Sequence, residues 1–155
     1  MSFNVVIDTR EQQPWHIGTS KEVDEVISRK LDTGDYAIEG MEHLLCIERK
    51  MSVSELATNI SEKRFWKEME RMKEYKWKYL ILEFDIDDIT IFPVGSTIPA
   101  HKHSKVRVRG PYIMKRLAEI QVDYNISVLF AGDVDNARWS ASNIMKRVYE
   151  QNKEQ

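Results

Sequence analysis

LLCIERK (residues 44–50) is an apolar run that closes in Glu48, Arg49 and Lys50. Read as a strand, its side chains alternate: Leu44, Cys46, Glu48 and Lys50 point to one face, Leu45, Ile47 and Arg49 to the other. Both faces stay apolar until the last three residues, as in a strand covered on both sides. Charges at such a position are costly unless they are paired or ligating. Glu48 and Lys50 are therefore candidates for chemistry, emerging side by side.

The neighbouring segments extend this strand into a sheet. NVVID (residues 4–8) is a short β-branched run that reads as a buried strand. KLDTGDYAIEG (residues 30–40) reads as a strand beside 44–50, joined to it by a turn near Gly40. Between them lie a polar loop with Pro14 and Trp15 and a predicted helix over residues 20–29. Ser52 and Glu55 have capping-box spacing, so a short helix starts there. A second helix is predicted over 62–76, with Phe65, Met69 and Met72 at core spacing and its Lys/Glu-rich remainder a solvated face. WKYLILEF (77–84) reads as a central strand. Residues 92–109 form a loop or partly an edge strand, and Pro111 opens a helix whose Ile113, Leu117, Ile120 and Tyr124 share one face. ISVLFAG (126–132) reads as another buried strand. Asp133 then caps a last helix with Val134, Ala137, Ala141, Ile144 and Val148 as its inner stripe. This order predicts an α/β fold, a three-layer α/β/α sandwich around a central mixed sheet.

The 155 residues suit one domain, 1–155, with 42% hydrophobic and 31% charged residues, a globular composition. No apolar run approaches the roughly 18–20 residues of a membrane span, and no signal peptide is read at the N-terminus, so a cytoplasmic setting without a membrane partner is expected. Cys46 is the single cysteine, which excludes an internal disulfide and a multi-cysteine metal site. A net charge of −2 hides segregation: His101 to Arg116 carries Lys102, Lys105, Arg107, Arg109, Lys115 and Arg116 with no acid among them.

A carboxylate and an ammonium two residues apart suit one task in particular. Glu48 can hold a hard cation through oxygen while Lys50 orients or deprotonates a water beside it. Asp35 on the adjoining strand can supply a second oxygen ligand, and Asp8 a third or a hold on a metal-bound water. Arg10 and Arg49 can position a phosphate or brace the carboxylates from behind. The parts suit phosphodiester hydrolysis.

GDY (34–36), IERK (47–50) and the upstream VVIDTRE (5–11) together resemble the nuclease domain of XPF-type structure-specific endonucleases, with their pattern of D-x-R-E, GD, a gap and ERK. The resemblance implies the restriction-endonuclease-like fold and a Mg²⁺- or Mn²⁺-dependent DNA endonuclease acting on branched, flap or fork DNA, as in DNA repair or recombination. It implies Asp8, Asp35 and Glu48 as metal-facing acids, Lys50 as the catalytic lysine, and Arg10, Glu11 and Arg49 as supporting active-site residues. The family's closing aspartate would fall at position 54, which is Ser54 here; Glu55 follows it and is read as the helix cap. The C-terminal helix-hairpin-helix module usual in the family is not expected here. A homodimer through the apolar faces of helices 110–124 and 133–150, an accessory DNA-binding protein, and a phage or prokaryotic setting are the accompanying expectations. The alternatives are a non-catalytic DNA-binding scaffold of the same fold, or a Holliday-junction resolvase or restriction-type nuclease.

Outside the motif, Lys102, Lys105, Arg107 and Arg109 are the candidate DNA-backbone contacts, with Val106 and Val108 packing inward. His101 and His103 share a metal-compatible spacing, but a zinc site is not expected. Most of the four tryptophans read as core or interface residues; Trp15, in a loop just after D-x-R-E, is the one to test for DNA contact.

Overall fold

The computed structural model describes residues 2–153. Six strands form one mixed sheet: β1 (Phe3–Ile7), β2 (Val23–Ser28), β3 (Tyr36–Ile38), β4 (Leu45–Lys50), β5 (Trp77–Leu82) and β6 (Ser127–Phe130). Their order is β2-β1-β3-β4-β5-β6. β1 pairs antiparallel with β3 and β3 with β4, while β1–β2, β4–β5 and β5–β6 are parallel. The helices are α1 (Val53–Asn59), α2 (Lys63–Lys73), α3 (Ile86–Ile91), α4 (Gly110–Asp123) and α5 (Val134–Lys153).

Side-chain alternation along β4 and β5 divides the interior in two. Cys46, Leu80 and Leu82 join Leu56, Met69, Ile113 and Leu117 in a core under α1, α2 and α4. Leu45, Ile47 and Ile81 join Trp15, Ala137, Ala141 and Met145 in a core under α5. The three-layer α/β/α sandwich expected from sequence is the observed fold. Ser52 accepts a hydrogen bond from the Glu55 amide and the Glu55 carboxylate accepts one from the Met51 amide, so Glu55 is a helix cap.

Three expectations need correction. Residues 23–28 are an edge strand, not a helix. Val23, Val26 and Ile27 have spacing that a helix would also use, but Phe3 pairs with Val23 and Val5 with Val26. Three residues of β2 there oppose two of β1, so an irregular register produces a helix-like period. The second correction concerns β6, which is the other edge and only half-buried, because no strand covers its outer side. The third concerns α5, whose buried stripe is Ala137, Ala141, Met145 and Val148, with Val134 exposed. The inner apolar faces of α4 and α5 pack against the chain's own sheet. Tyr112 and Val122 on α4 and Val134 and Trp139 on α5 are the large hydrophobics those helices leave exposed.

Candidate active site

Asp35 is placed by its glycine. Gly34 adopts a φ of +86°, and a Cβ there would lie 2.6 Å from Cys46 Sγ and 3.1 Å from the Ile47 carbonyl oxygen. The chain therefore turns tightly against β4, where the Asp35 amide donates to the Ile47 carbonyl at 2.8 Å. Asp35 Oδ2 accepts from the Arg49 amide at 2.8 Å, which fixes the carboxylate beside the end of β4. Gly34→Ala is expected to destabilise the fold by about 1–3 kcal/mol, through a forced left-handed residue and a backbone clash. Chemical denaturation measures this.

Glu48 and Lys50 lie on the α1/α2 side of β4, 5% and 8% exposed, with Lys50 Nζ 3.2 Å from Glu48 Oε1. The lysine ammonium lies over the Phe65 ring of α2, 5.6 Å from its centroid. Burial, then the neighbouring Asp35 charge, pushes Glu48 well above the ordinary carboxylate range. Burial and the Glu11 charge push Asp35 up to about 7. Burial works to discharge Lys50, but Glu48, Glu55 and Asp35 outweigh it and keep its pKa above the usual lysine value. Lys50 is thus a buried cation facing two mutually repelling acids.

Asp8 and Arg10 form the adjoining rim. The Asp8 amide donates to the Asp35 carbonyl at 2.9 Å, which continues the β1–β3 pairing. Asp8 Oδ1 accepts from the Leu31 amide at 2.8 Å, and Oδ2 accepts from Arg10 Nε at 2.7 Å and from the Arg10 amide at 3.2 Å. Burial raises its pKa, yet these donors leave it below the usual value. Arg10, 68% exposed, reaches solvent at the cleft and also donates to the Leu31 carbonyl.

Arg49 points to the opposite face, as the alternation requires. It donates to Glu83 Oε2 at 2.6 Å, to the Gln13 carbonyl at 2.6 Å and to Glu11 Oε2 at 3.1 Å. Of its two candidate roles, phosphate contact or bracing from behind, the geometry is that of the brace. Trp15 belongs to the same cluster: its indole donates to Glu83 at 2.6 Å and its ring stacks on Tyr36 at 4.3 Å. Being 4% exposed, it is not open to contact with DNA. Its position after a polar loop concealed that the loop folds back over the α5-side core.

Two acids are missing from the candidates drawn from sequence. Glu83 closes β5 within ILEFD and resembles a simple strand end. Glu68 sits on α2 between Phe65, which carries Lys50, and Arg71, whose Nε donates to Thr33 Oγ1 at 3.0 Å. It is half-buried and its charge helps raise the Glu48 pKa, so this part of α2 faces the cleft and not solvent alone. Its i±3 relation to those two residues was the available signal.

The basic stretch departs from its expected form in detail. Val106 and Val108 pack against the core, and Lys102, Lys105 and Arg107 are exposed. Arg109 curls back to donate to the Val106 and His103 carbonyls, which holds the turn. His103 Nε2 lies 2.8 Å from the Ile98 carbonyl oxygen.

A mixed sheet sandwiched by helices, with acids and a lysine closing its central strands, defines the class: a nuclease-type domain of restriction-endonuclease-like fold. The chain belongs to the ERCC4 domain family, whose model matches residues 7–142. In fold it is similar to XPF from Aeropyrum pernix, with a TM-score of 0.70 and 22% identity, covering 97% of this chain and 67% of that one. A structure of XPF from Aeropyrum pernix in complex with DNA is also similar, with a TM-score of 0.68 and 24% identity, covering 96% and 66%. The chain spans about two thirds of those structures. No curated protein matches it.

Proposed function

We propose that this chain is a divalent-metal-dependent DNA endonuclease domain, with Asp35 and Glu48 as the cation ligands and Lys50 beside them. The observation that carries the reading is the joint placement of these three groups at the ends of adjoining strands. Two partly dehydrated carboxylates held against each other form an all-oxygen site whose repulsion a hard cation relieves. Among the described residues no three His, Cys, Asp or Glu side chains form a ready cage. Mg²⁺ needs none, since it is usually held by one or two carboxylates with water and substrate phosphate completing its shell. Asp8, whose oxygens are taken by protein donors, is assigned to holding Arg10 and not to the ion.

A bound Mg²⁺ or Mn²⁺ would polarise the scissile phosphate and lower the pKa of a water. Lys50 contributes beside the ion, where it can orient the water or stabilise charge on the phosphate. Arg10 supplies a phosphate contact at the rim. Lys102, Lys105 and Arg107 extend that contact along the DNA backbone. Neutralising Lys105 and Arg107 together is expected to weaken DNA binding uniformly across sequences. The slope of log affinity against log salt should fall by roughly 1 for each phosphate that is no longer neutralised.

Proton linkage gives a second expectation. In the metal-free protein Asp35 has a folded pKa of about 7 against an ordinary 3.8. The folded state therefore binds the proton more tightly, and this contribution to stability is lost as pH rises from the ordinary value through the folded one. Cation binding must displace that proton, so the melting-temperature increase caused by Mn²⁺ should be larger at pH 8 than at pH 6.

Cleavage assays on flap, fork, four-way-junction and linear duplex DNA with Mg²⁺ or Mn²⁺ test the reading. Metal-dependent cutting concentrated on flap or fork substrates is expected. Cutting of linear duplex alone would reject the branched-DNA preference, and absence of cutting on all four would reject the enzyme.

A further inference from the structure

The catalytic face of β4 is backed by a closed polar network on the other side of the sheet. Arg49, between Glu48 and Lys50, directs all three guanidinium nitrogens into it: Nε and Nη2 to Glu83, and Nη1 to Glu11, the Gln13 carbonyl and Tyr36 Oη. Glu83 is held in turn by the Trp15 indole at 2.6 Å, and its amide donates to the Lys50 carbonyl at 2.9 Å. Tyr36 Oη accepts from the Trp15 amide at 2.9 Å and donates to Glu11 at 2.8 Å. The side chains of Arg49 and Glu83 are 3% and 6% exposed.

The placement of this network relative to the proposed site is specific. Asp35 is the residue before Tyr36, Glu48 the one before Arg49, and Lys50 the one after it. Each therefore lies one strand position from a side chain locked in the network, on the opposite face. The Arg49 amide is also the donor that holds the Asp35 carboxylate. A tilt of the Arg49 or Tyr36 backbone would move all three groups, and misplacement of about 1 Å can cost on the order of a hundredfold in rate.

We infer that Glu83 and Trp15, neither of which faces the cleft, are positioning residues that set the geometry of Asp35, Glu48 and Lys50 through Arg49 and Tyr36. This rests on the proposed cation site. Glu83 fixes the guanidinium with both oxygens, and Trp15 fixes Glu83 while stacking on Tyr36. Arg49 then has no nitrogen free for phosphate, and its charge serves the interior.

Glu83→Gln removes the charge at constant size, and Trp15→Phe removes the indole donor while retaining an aromatic ring on Tyr36. Mn²⁺ affinity of the folded protein is read by electron paramagnetic resonance of free Mn²⁺. Steady-state cleavage of a flap substrate gives kcat and KM. Both variants are expected to bind Mn²⁺ more weakly, on the order of tenfold, with kcat lowered and KM for DNA unchanged. Unaltered Mn²⁺ affinity and kcat, with only a lower melting temperature, would make the network merely structural and overturn the inference while leaving the cation site standing. If Glu83→Gln fails to fold, Trp15→Phe decides by the same readouts. Wild-type protein that binds no Mn²⁺ would overturn the cation-site reading itself, and this inference with it.

Discussion

Glu48→Gln is expected to lower Mg²⁺-dependent DNA cleavage by roughly three orders of magnitude, since electrostatic assistance worth several kcal/mol depends on the ion it helps to hold. The substitution conserves volume at a position 5% exposed, so no cavity is made. It removes a carboxylate that burial and Asp35 already disfavour, while leaving Lys50 an amide oxygen as partner. Thermal melting without metal should accordingly stay near that of the wild type. Loss of activity with retained melting behaviour assigns the defect to the site. Cleavage at the wild-type rate would place the chemistry elsewhere.

Arg49→Ala is expected to produce the largest loss of stability, about 3–5 kcal/mol, because it strands two acids inside the protein. Glu83, with its side chain 6% exposed, and Glu11 would both lose their cation. The Gln13 carbonyl and Tyr36 hydroxyl would lose a donor as well. Denaturant unfolding gives the value directly. A loss below about 1 kcal/mol, as for an exposed pair, would show that the cluster does not hold the strands. Arg49→Lys should recover only part of it, since an ammonium cannot reproduce the forked contact with both Glu83 oxygens.

Much of the site was legible because β4 obeys a simple period. Alternation alone placed Glu48 and Lys50 on one face and Arg49 on the other, and the cores on either side of Cys46 and Ile47 agree. Ser52 with Glu55 was legible as a cap, whereas Gly34, read inside a strand, is a tight turn before Asp35. What stayed hidden depended on contacts across long stretches of chain. Nothing local distinguishes Glu83 from any charge ending a strand; its role arises because Arg49 and Trp15 fold onto it from 34 and 68 residues away. Trp15 looked like a loop aromatic open to DNA because its stacking partner, Tyr36, lies on another strand. Residues 23–28 read as helix because a register irregularity against β1 gives an edge strand a helical spacing. Glu68 was hidden by its surroundings, one acid among many charges on α2.

The placement of the cation site admits a direct test. Crystals of the wild-type protein soaked in Mn²⁺, with data collected at the manganese absorption edge, should give an anomalous peak bounded by the Asp35 and Glu48 carboxylates, with Lys50 Nζ alongside and Asp8 still bound to Arg10. A peak on other residues, or none between Asp35 and Glu48 at saturating Mn²⁺, would refute the proposed site.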